Sequence, residues 1–439
     1  MFSLRGFTAS LLLFSASVSV SYAGLTLELT QGMNGAIPVA VVPFANDPNT
    51  AASPYNIASV VQHDLTISGR FKVLPAAQVT QFPSDPSSFN YNYWKGTGVN
   101  DTVIGNIKSL GNGSYQVNFT LVDVYKGAAN PSTGPIFADS FTVSASSFRQ
   151  VAHKISDEIY QQLTGNKGVF STKIAYVLVE NQNSSAPKYL LEVADMDGFN
   201  PRPILVSNQP IMSPTWSPDG TKLAYVSFEN TNPAIYISNI ASGSRQLISN
   251  SPGLNNAPAF SPDGSKLALV LSKNGIAKIF VMNLGSRQLT EVTSGPSLDT
   301  EPSWSPDGNS LIFTSNRDGG PEIYRADLSS GNLTRLTYNG PYNATASFTP
   351  DGSQIVLLHQ QNGGYNIAVQ DLSSGNLSVL TNAGNDSSPS LAPNGQMILY
   401  ATGDNDGALG MVSIDGSIKL RIPAPEGAIR EAAWSPFLS

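Results

Sequence analysis

From residue 173 to the C-terminus, short apolar runs return at nearly even intervals. They begin at Lys173 ("KIAYVLVE"), Lys222 ("KLAYVS"), Lys266, Ser310, Gln354 and Gln396. Each is too short for a stable helix and rich in β-branched and aromatic residues, which predicts six buried strands. All but the first follow a turn signature: Trp216-Ser-Pro-Asp-Gly, Phe260-Ser-Pro-Asp-Gly, Trp304-Ser-Pro-Asp-Gly, Phe348-Thr-Pro-Asp-Gly and Leu391-Ala-Pro-Asn-Gly. A truncated copy, Trp434-Ser-Pro, ends the chain, and the steps are 44, 44, 44, 43 and 43 residues. In this signature Pro presets φ, Asp favours a local hydrogen bond and Gly accepts positive φ, so it reads as a turn and not as a reactive Ser–Asp pair. Two further apolar pairs repeat in step, for example Ile235-Tyr236 with Leu247-Ile248, and Ile323-Tyr324 with Leu336-Thr337. Turn-forming segments such as "SNRDGGP" and "SSGN" separate them. Four short strands per unit of this length predict the blade of a β-propeller.

The repeat is offset from the chain ends. The first strand, at Lys173, lacks a preceding Trp/Phe strand, and the surplus copy at Trp434 lies at the other end. Pairing the two closes a ring of six blades and removes two open sheet edges; an open solenoid is the alternative.

Residues upstream follow another pattern. "IPVAVVPF" (37–44) reads as a buried strand, and "YNIASVVQHDLTISG" as a helix stopped by Gly69. "RFKVL", "DTVIGNIKSL", "SYQVNFTLVDVYKG" and "FADSFTVS" read as strands, and "PSDPSSFNYNYWKGTG" as a long aromatic-bearing loop. "SFRQVAHKISDEIYQQLTG" is a helix with Phe148, Val151, Ile155, Ile159 and Leu163 on one face. A Ser147/Gln150 capping box opens it and Gly165 closes it. The reading is a two-domain chain: a mixed α/β domain over 35–165, then a six-bladed all-β propeller over 166–439. Ahead of both, "MFSLRGFTASLLLFSASVSVSYAG" combines a positive start, a short apolar run and a small-x-small site. That reads as a cleaved signal peptide over 1–23, with an exported mature chain beginning near Gly24. Residues 24–34 alternate weakly, with Leu25, Leu27 and Leu29 on one face when extended. They suit an edge strand, or a free tail that adds to a partner's sheet.

Composition narrows the function. Net charge is −7 with no Lys/Arg-rich tract, so nucleic acid is not an expected partner. With no cysteine, thiol chemistry, disulfides and lipoprotein-type processing are out. No apolar run after the leader is long enough to span a membrane. The three histidines, His63, His153 and His359, read as surface or boundary residues. "DMDG" (195–198) and "DNDG" (404–407) start like calcium loops but do not continue as one, and read as ordinary turns. Hydrolase signatures are missing, although Ser-Pro-Asp-Gly blades also occur beside hydrolase domains. Asp299, Glu301, Asn343 and Asp386 sit where the chain enters innermost strands, so a channel ion near Glu301 is a candidate. An exported propeller enzyme, or a sugar- or ion-binding propeller, is the competing reading.

The stretches "IPVAVVPF", "LTISGRFKVL", "GSYQVNFTLVDV", "SDEIYQQLTGNKGVFSTKIAYV", "TEPSWSPDGNSLIFTSNRDGGPEIY" and "PSLAPNGQMILYATGDNDG" resemble the TolB family of the Tol-Pal system of Gram-negative bacteria. They span nearly the whole mature chain. The resemblance implies a monomeric periplasmic adaptor without enzymatic activity or cofactor. One propeller face would bind the peptidoglycan-associated lipoprotein Pal, and bacteriocins exploit that face in the family. The segment after the signal peptide (Gly24, Leu25, Leu27, Leu29) would bind TolA. Such an adaptor supports outer-membrane integrity and constriction at division. The residues placed on the Pal face are Met212, Leu254, Asn255, Asn256, Ala257, Asp299, Thr300, Glu301, Asn343, Thr345, Asp386, Ser388 and Arg430. Ala257 of "NAPAF" and Thr300 of "TEPSW" match family contact positions, while Leu254 stands where family members often carry histidine.

Overall fold

A computed structural model describes residues 26–28, 35–47, 56–403, 407–422 and 427–438. The signal-peptide reading, Gly24, Leu25, Leu29 and most of "DNDG" lie outside these residues.

The α/β domain is built on a sheet ordered Phe71–Val73, Ile37–Val41, Asp101–Gly111, Ser114–Asp123, Pro135–Ser144. The first three strands run parallel and the others antiparallel. Side chains alternate across a strand, so neighbouring residues feed different cores. Val39, Val41, Val103 and Leu121 face the helices α1 (Ile57–Ile67) and, later in the chain, Phe148–Thr164. Ala40, Val42, Ile104 and Val122 face a smaller aromatic core around Trp94 and Phe89. Two short helices sit by that second core, where the sequence reading had a loop and the end of a strand. Asn90 caps α2 (Tyr91–Gly96) by accepting from the Tyr93 N–H at 3.1 Å. Asp123 caps α3 (Val124–Ala129) through the Lys126 N–H at 2.8 Å, which ends the strand there. The long helix α4 (Phe148–Thr164) ends as expected, at Gly165 with φ +78°. Its capping box does not form: the chain enters through a 3₁₀ turn, and the Ser147 hydroxyl lies by that of Ser144 instead.

Six blade sheets follow, five of four strands and one of five. Blades 2 to 5 each run from innermost to outermost strand in chain order, starting at Ile211, Asn255, Asp299 and Asn343. Blade 6 starts at Ser387 and carries a fifth strand. Blade 1 takes Lys173–Glu180, Lys188–Asp195 and Arg202–Ser207, and the C-terminal strand Ala428–Trp434 pairs antiparallel beside Lys173–Glu180. Second strands such as Lys266–Leu271 are buried on both faces because neighbouring blades cover them, which is why they read as continuous apolar runs.

The Ser-Pro-Asp-Gly turns are scaffold. Ser217 Oγ donates to Asp219 Oδ1 at 2.5 Å and accepts from the Lys222 N–H at 3.0 Å, while Gly220 takes φ +68°. The aromatic ahead of the turn joins blades: the Trp216 indole donates to the Ala433 carbonyl at 3.2 Å and that of Trp304 to the Ala259 carbonyl at 2.9 Å.

The two domains share one apolar core. Helices α1 and α4 bury Ile67, Ile159 and Tyr160 in the same cluster as Ile174 and Met196 of blade 1 and Met411, Ile418 and Leu420 of blade 6. Two histidine readings are corrected. His153 is buried against Asp64 because α4 is covered on two sides, and His359 is buried against the Asn343 side chain. His63 is exposed.

Candidate functional site: channel mouth and docked N-terminal strand

The six innermost strands enclose a channel of ≈ 700 Å³, lined by Ser213, Asn256, Ala257, Thr300, Glu301, Thr345, Ser388 and Glu431 and, further along, by the Ser-Pro turns. Each innermost strand breaks register with its neighbour within its first three residues, between Met212/Thr215, Asn256/Ala259, Thr300/Ser303, Ala344/Ser347, Ser387/Ser390 and Arg430/Ala433. At each break one residue lies in the left-handed region: Ser213 (φ +50°), Ala257 (+45°), Glu301 (+53°), Thr345 (+51°), Ser388 (+50°) and Glu431 (+57°). None is glycine, so this conformation costs roughly 1–2 kcal/mol per residue and has to be held by the sheet around it. The bulges re-aim side chains and N–H groups at the channel mouth. Sequence reasoning missed them, yet a signal was there: Pro follows at 214, 258, 302 and 389, and proline within a strand marks a bulge.

Adjacent blades are tied through these bulges. Glu301 Oε2 accepts from the Thr345 N–H at 3.0 Å and from Thr314 Oγ1 at 2.7 Å. Glu431 Oε2 accepts from the Ser213 N–H at 3.2 Å. Glu301 and Glu431 stand three blades apart and face each other across the ring. Burial, with the charge of Glu301 adding to it, pushes the Glu431 carboxyl above its ordinary range.

The structure divides the thirteen sequence-chosen residues. Asn256, Ala257, Thr300, Glu301, Thr345 and Ser388 line the channel mouth with Met212, and Arg430 is exposed beside it. Leu254 is half-buried against blade 4. Asn255, Asp299, Asn343 and Asp386 are not on the surface; they are buried beneath it and hold the loops above. Asn255 Oδ1 accepts from Ser249 Oγ at 2.6 Å and the Ser251 N–H at 3.1 Å. Asp299 accepts from Lys278 Nζ at 2.8 Å, Ser315 Oγ at 2.6 Å and Arg317 at 2.9 Å. Burial opposes ionisation there, but these donors hold the Asp299 carboxyl below its ordinary range. Asn343 donates to Glu322 at 2.9 Å, and Asp386 accepts from Thr402 Oγ1 at 2.6 Å.

The four residues chosen for a channel ion are therefore not brought together. Among the described residues, only Asp64, His153 and Asp197 form a group of three such side chains with donor atoms within 4.8 Å of one another. That set lies between the domains, where His153 and Asp64 hydrogen-bond directly and Arg149 holds Asp197.

Around the mouth an apolar rim was missed. Leu298 (53% exposed) and Tyr338 (70%) stand on the loops that lead into blades 4 and 5, and Tyr365 (37%) stands near the start of the strand Gly364–Asp371 of blade 5. Tyr342 packs edge-on against Tyr365 at 5.1 Å. Large apolar residues inside the Gly/Pro-rich loop "TYNGPYNA" were the available signal. Exposed aromatics beside backbone-rigid loops are the usual anchors of a protein interface.

The second candidate is at the blade 6 edge. Thr26–Glu28 pairs antiparallel with Lys419–Ile422, with Leu27 opposite Leu420, as a fifth strand. It covers an edge that would otherwise offer free N–H and C=O groups. This edge adjoins the domain seam, where Ile418 meets Gly69.

Comparison with known proteins agrees with this architecture. A family model described as the TolB amino-terminal domain matches residues 25–130, and one described as the TolB beta propeller domain matches residues 160–438. The Tol-Pal system protein TolB of Coxiella burnetii is 61% identical over 423 residues, covering 96% of each chain. That of Legionella pneumophila (strain Corby) is 56% identical, covering 98% of each. The crystal structure of TolB from Acinetobacter baumannii superimposes with a TM-score of 0.85 at 39% identity, covering 94% of this chain and all of that one. An α/β domain, a six-bladed ring and matches running the length of both lead to one assignment: the chain belongs to the TolB family of Tol-Pal system proteins.

Proposed function

We propose that the chain is a periplasmic adaptor without enzymatic activity, exported by a signal peptide over residues 1–23. Its propeller mouth binds the peptidoglycan-associated lipoprotein Pal, and its mature N-terminus, residues 24–34, binds TolA. The observation that carries the reading is the mouth itself. Six strained, non-glycine bulges fix a ring of small and polar groups, with an apolar rim beside it at Leu298, Tyr338 and Tyr365. Strain kept in a scaffold is a mark of a functional surface. Ala257, Thr300, Thr345 and Ser388 present the ring, while Asn255, Asp299, Asn343 and Asp386 position it from below. Bacteriocins that exploit the system would use the same face. Thr26–Glu28 is the docked form of the TolA-binding segment, and TolA capture takes it off the blade 6 edge.

The test is co-precipitation with the Pal lipoprotein of the same organism. Wild-type protein captures it, and Thr300→Arg, which puts a long charged side chain into the mouth, reduces capture at least tenfold. Deleting residues 24–34 abolishes TolA capture. Failure of the wild type to capture the lipoprotein, together with an intact outer-membrane barrier in a deletion strain, overturns the reading.

A further inference from the structure

Helix α4 presents a polar stripe, Arg149, His153 and Ser156, toward α1 and blade 1. Two carboxylates come from the propeller: Asp195 ends a strand of blade 1, and Asp197 lies in the turn after it. A third, Asp64, comes from α1 and is fully buried. Arg149 Nε donates to Asp195 Oδ2 at 3.0 Å, and the other end of the guanidinium donates to Asp197. Lys173 also holds Asp195. Asp64 Oδ2 receives Ser156 Oγ at 2.7 Å and lies 2.8 Å from His153 Nδ1.

The charges do not balance without the imidazole. Three carboxylates, Asp64, Asp195 and Asp197, face two permanent cations, Arg149 and Lys173, which leaves one negative charge uncompensated at a seam closed by apolar packing. Asp157, on the same helix, is a further acid beside Asp64; burial raises its carboxyl to about 6, so it adds negative charge in neutral solution. His153 is 3% exposed and its Nε2 has no partner, like Asp64 Oδ1. An unpaired buried charge is far more costly than a paired one, so the site favours a second proton on the ring.

We propose that His153 is an imidazolium in the assembled molecule, and that its proton helps fasten the α/β domain to the propeller, making the seam a pH-responsive lock. Burial by itself would push the imidazole down. The charge and hydrogen bond of Asp64, joined by the charge of Asp197 and opposed by Arg149, bring it above the ordinary value of 6.5. A group raised in the folded state contributes stability that is complete below its unfolded value and lost as pH rises through its folded one. The lock is therefore fully closed below about pH 6.5 and weakens as the pH rises above that value.

The chain has only three histidines, which suits NMR on the intact protein labelled with ¹³C-histidine. The His153 signal, identified by its absence in His153→Gln, titrates above 6.5, whereas burial holds that of His359 below. Raising the pH from 6 to 9 lowers protection, measured against the base-catalysed intrinsic exchange rate at each pH, at 195–199 and at 148–156 in the wild type and in His63→Gln. His153→Gln shows no such pH dependence. A His153 titration at or below 6.5, or an unchanged pH response in His153→Gln, overturns the proposal; if that variant does not fold, the wild-type titration decides alone, with its resonances assigned through bonds.

Discussion

Replacing Trp434 with alanine perturbs the place where the ring closes. The indole is 5% exposed, donates to Thr172 Oγ1 at 2.8 Å and packs in the core shared by both domains. Removing a buried tryptophan costs about 3–5 kcal/mol in lost burial and residual cavity. For a chain of this size, that lowers the thermal midpoint by roughly 3–6 °C. Trp304 gives the control, since it repeats the same role inside the ring, 8% exposed and hydrogen-bonded to Ala259. Both variants lose stability, but they differ in what opens. The strand bearing Trp304 continues through one turn into the next strand of blade 4, whereas Ala428–Trp434 has no chain connection to the rest of blade 1 and is held there by non-covalent contacts, its pairing with Lys173–Glu180 foremost. Limited proteolysis at 25 °C, read by mass spectrometry, should show early cleavage near residue 427 in Trp434→Ala and not in Trp304→Ala. A stability loss under about 1 kcal/mol, or the same cleavage pattern in both, would refute closure by this strand.

Gly69→Val should destabilise the domain seam. Gly69 has φ +64°, and a Cβ there would lie 2.2 Å from Ile418 Cδ1, so about 1–3 kcal/mol is expected, read from thermal unfolding. Asp299→Asn should cost more, about 3–5 kcal/mol at pH 7, because Lys278 stays buried with its counter-charge gone. The native carboxyl is held low, so its contribution is present above the ordinary carboxylate value of 3.8 and fades as pH falls through the folded one. Urea midpoints from pH 7 down to pH 3 should therefore converge for the variant and the wild type.

Much of the fold was legible because it repeats. A Ser-Pro-Asp-Gly turn every 43 or 44 residues fixes strand count, blade count and offset together. What escaped lies where a side chain's environment is set by another element. His153 falls off the apolar stripe of α4 defined by Phe148, Val151, Ile155 and Ile159, so periodicity assigned it to the surface. The helix is in fact covered on a second side by α1 and blade 1, and the stripe Arg149, His153, Ser156 is that second contact. At the mouth, chain position placed the thirteen residues in the right loops but could not separate lining from anchor. Asn255, Asp299, Asn343 and Asp386 precede each bulge by two residues, and the register break turns them inward. The aromatic segment 83–98 read as a loop because its helix is only six residues long and rests on the Asn90 cap.

The central claim is that the propeller mouth is the partner-binding face. Hydrogen exchange of the protein alone and bound to the purified periplasmic domain of the Pal lipoprotein tests it most directly. The account predicts protection at 254–257, 298–301 and 338–345, where bulged N–H groups and the apolar rim stand, with none at the Ser-Pro-Asp-Gly turns at the far end of the channel. Protection confined to those turns or to the outer blade strands, with the mouth unchanged in a saturated complex, would contradict it.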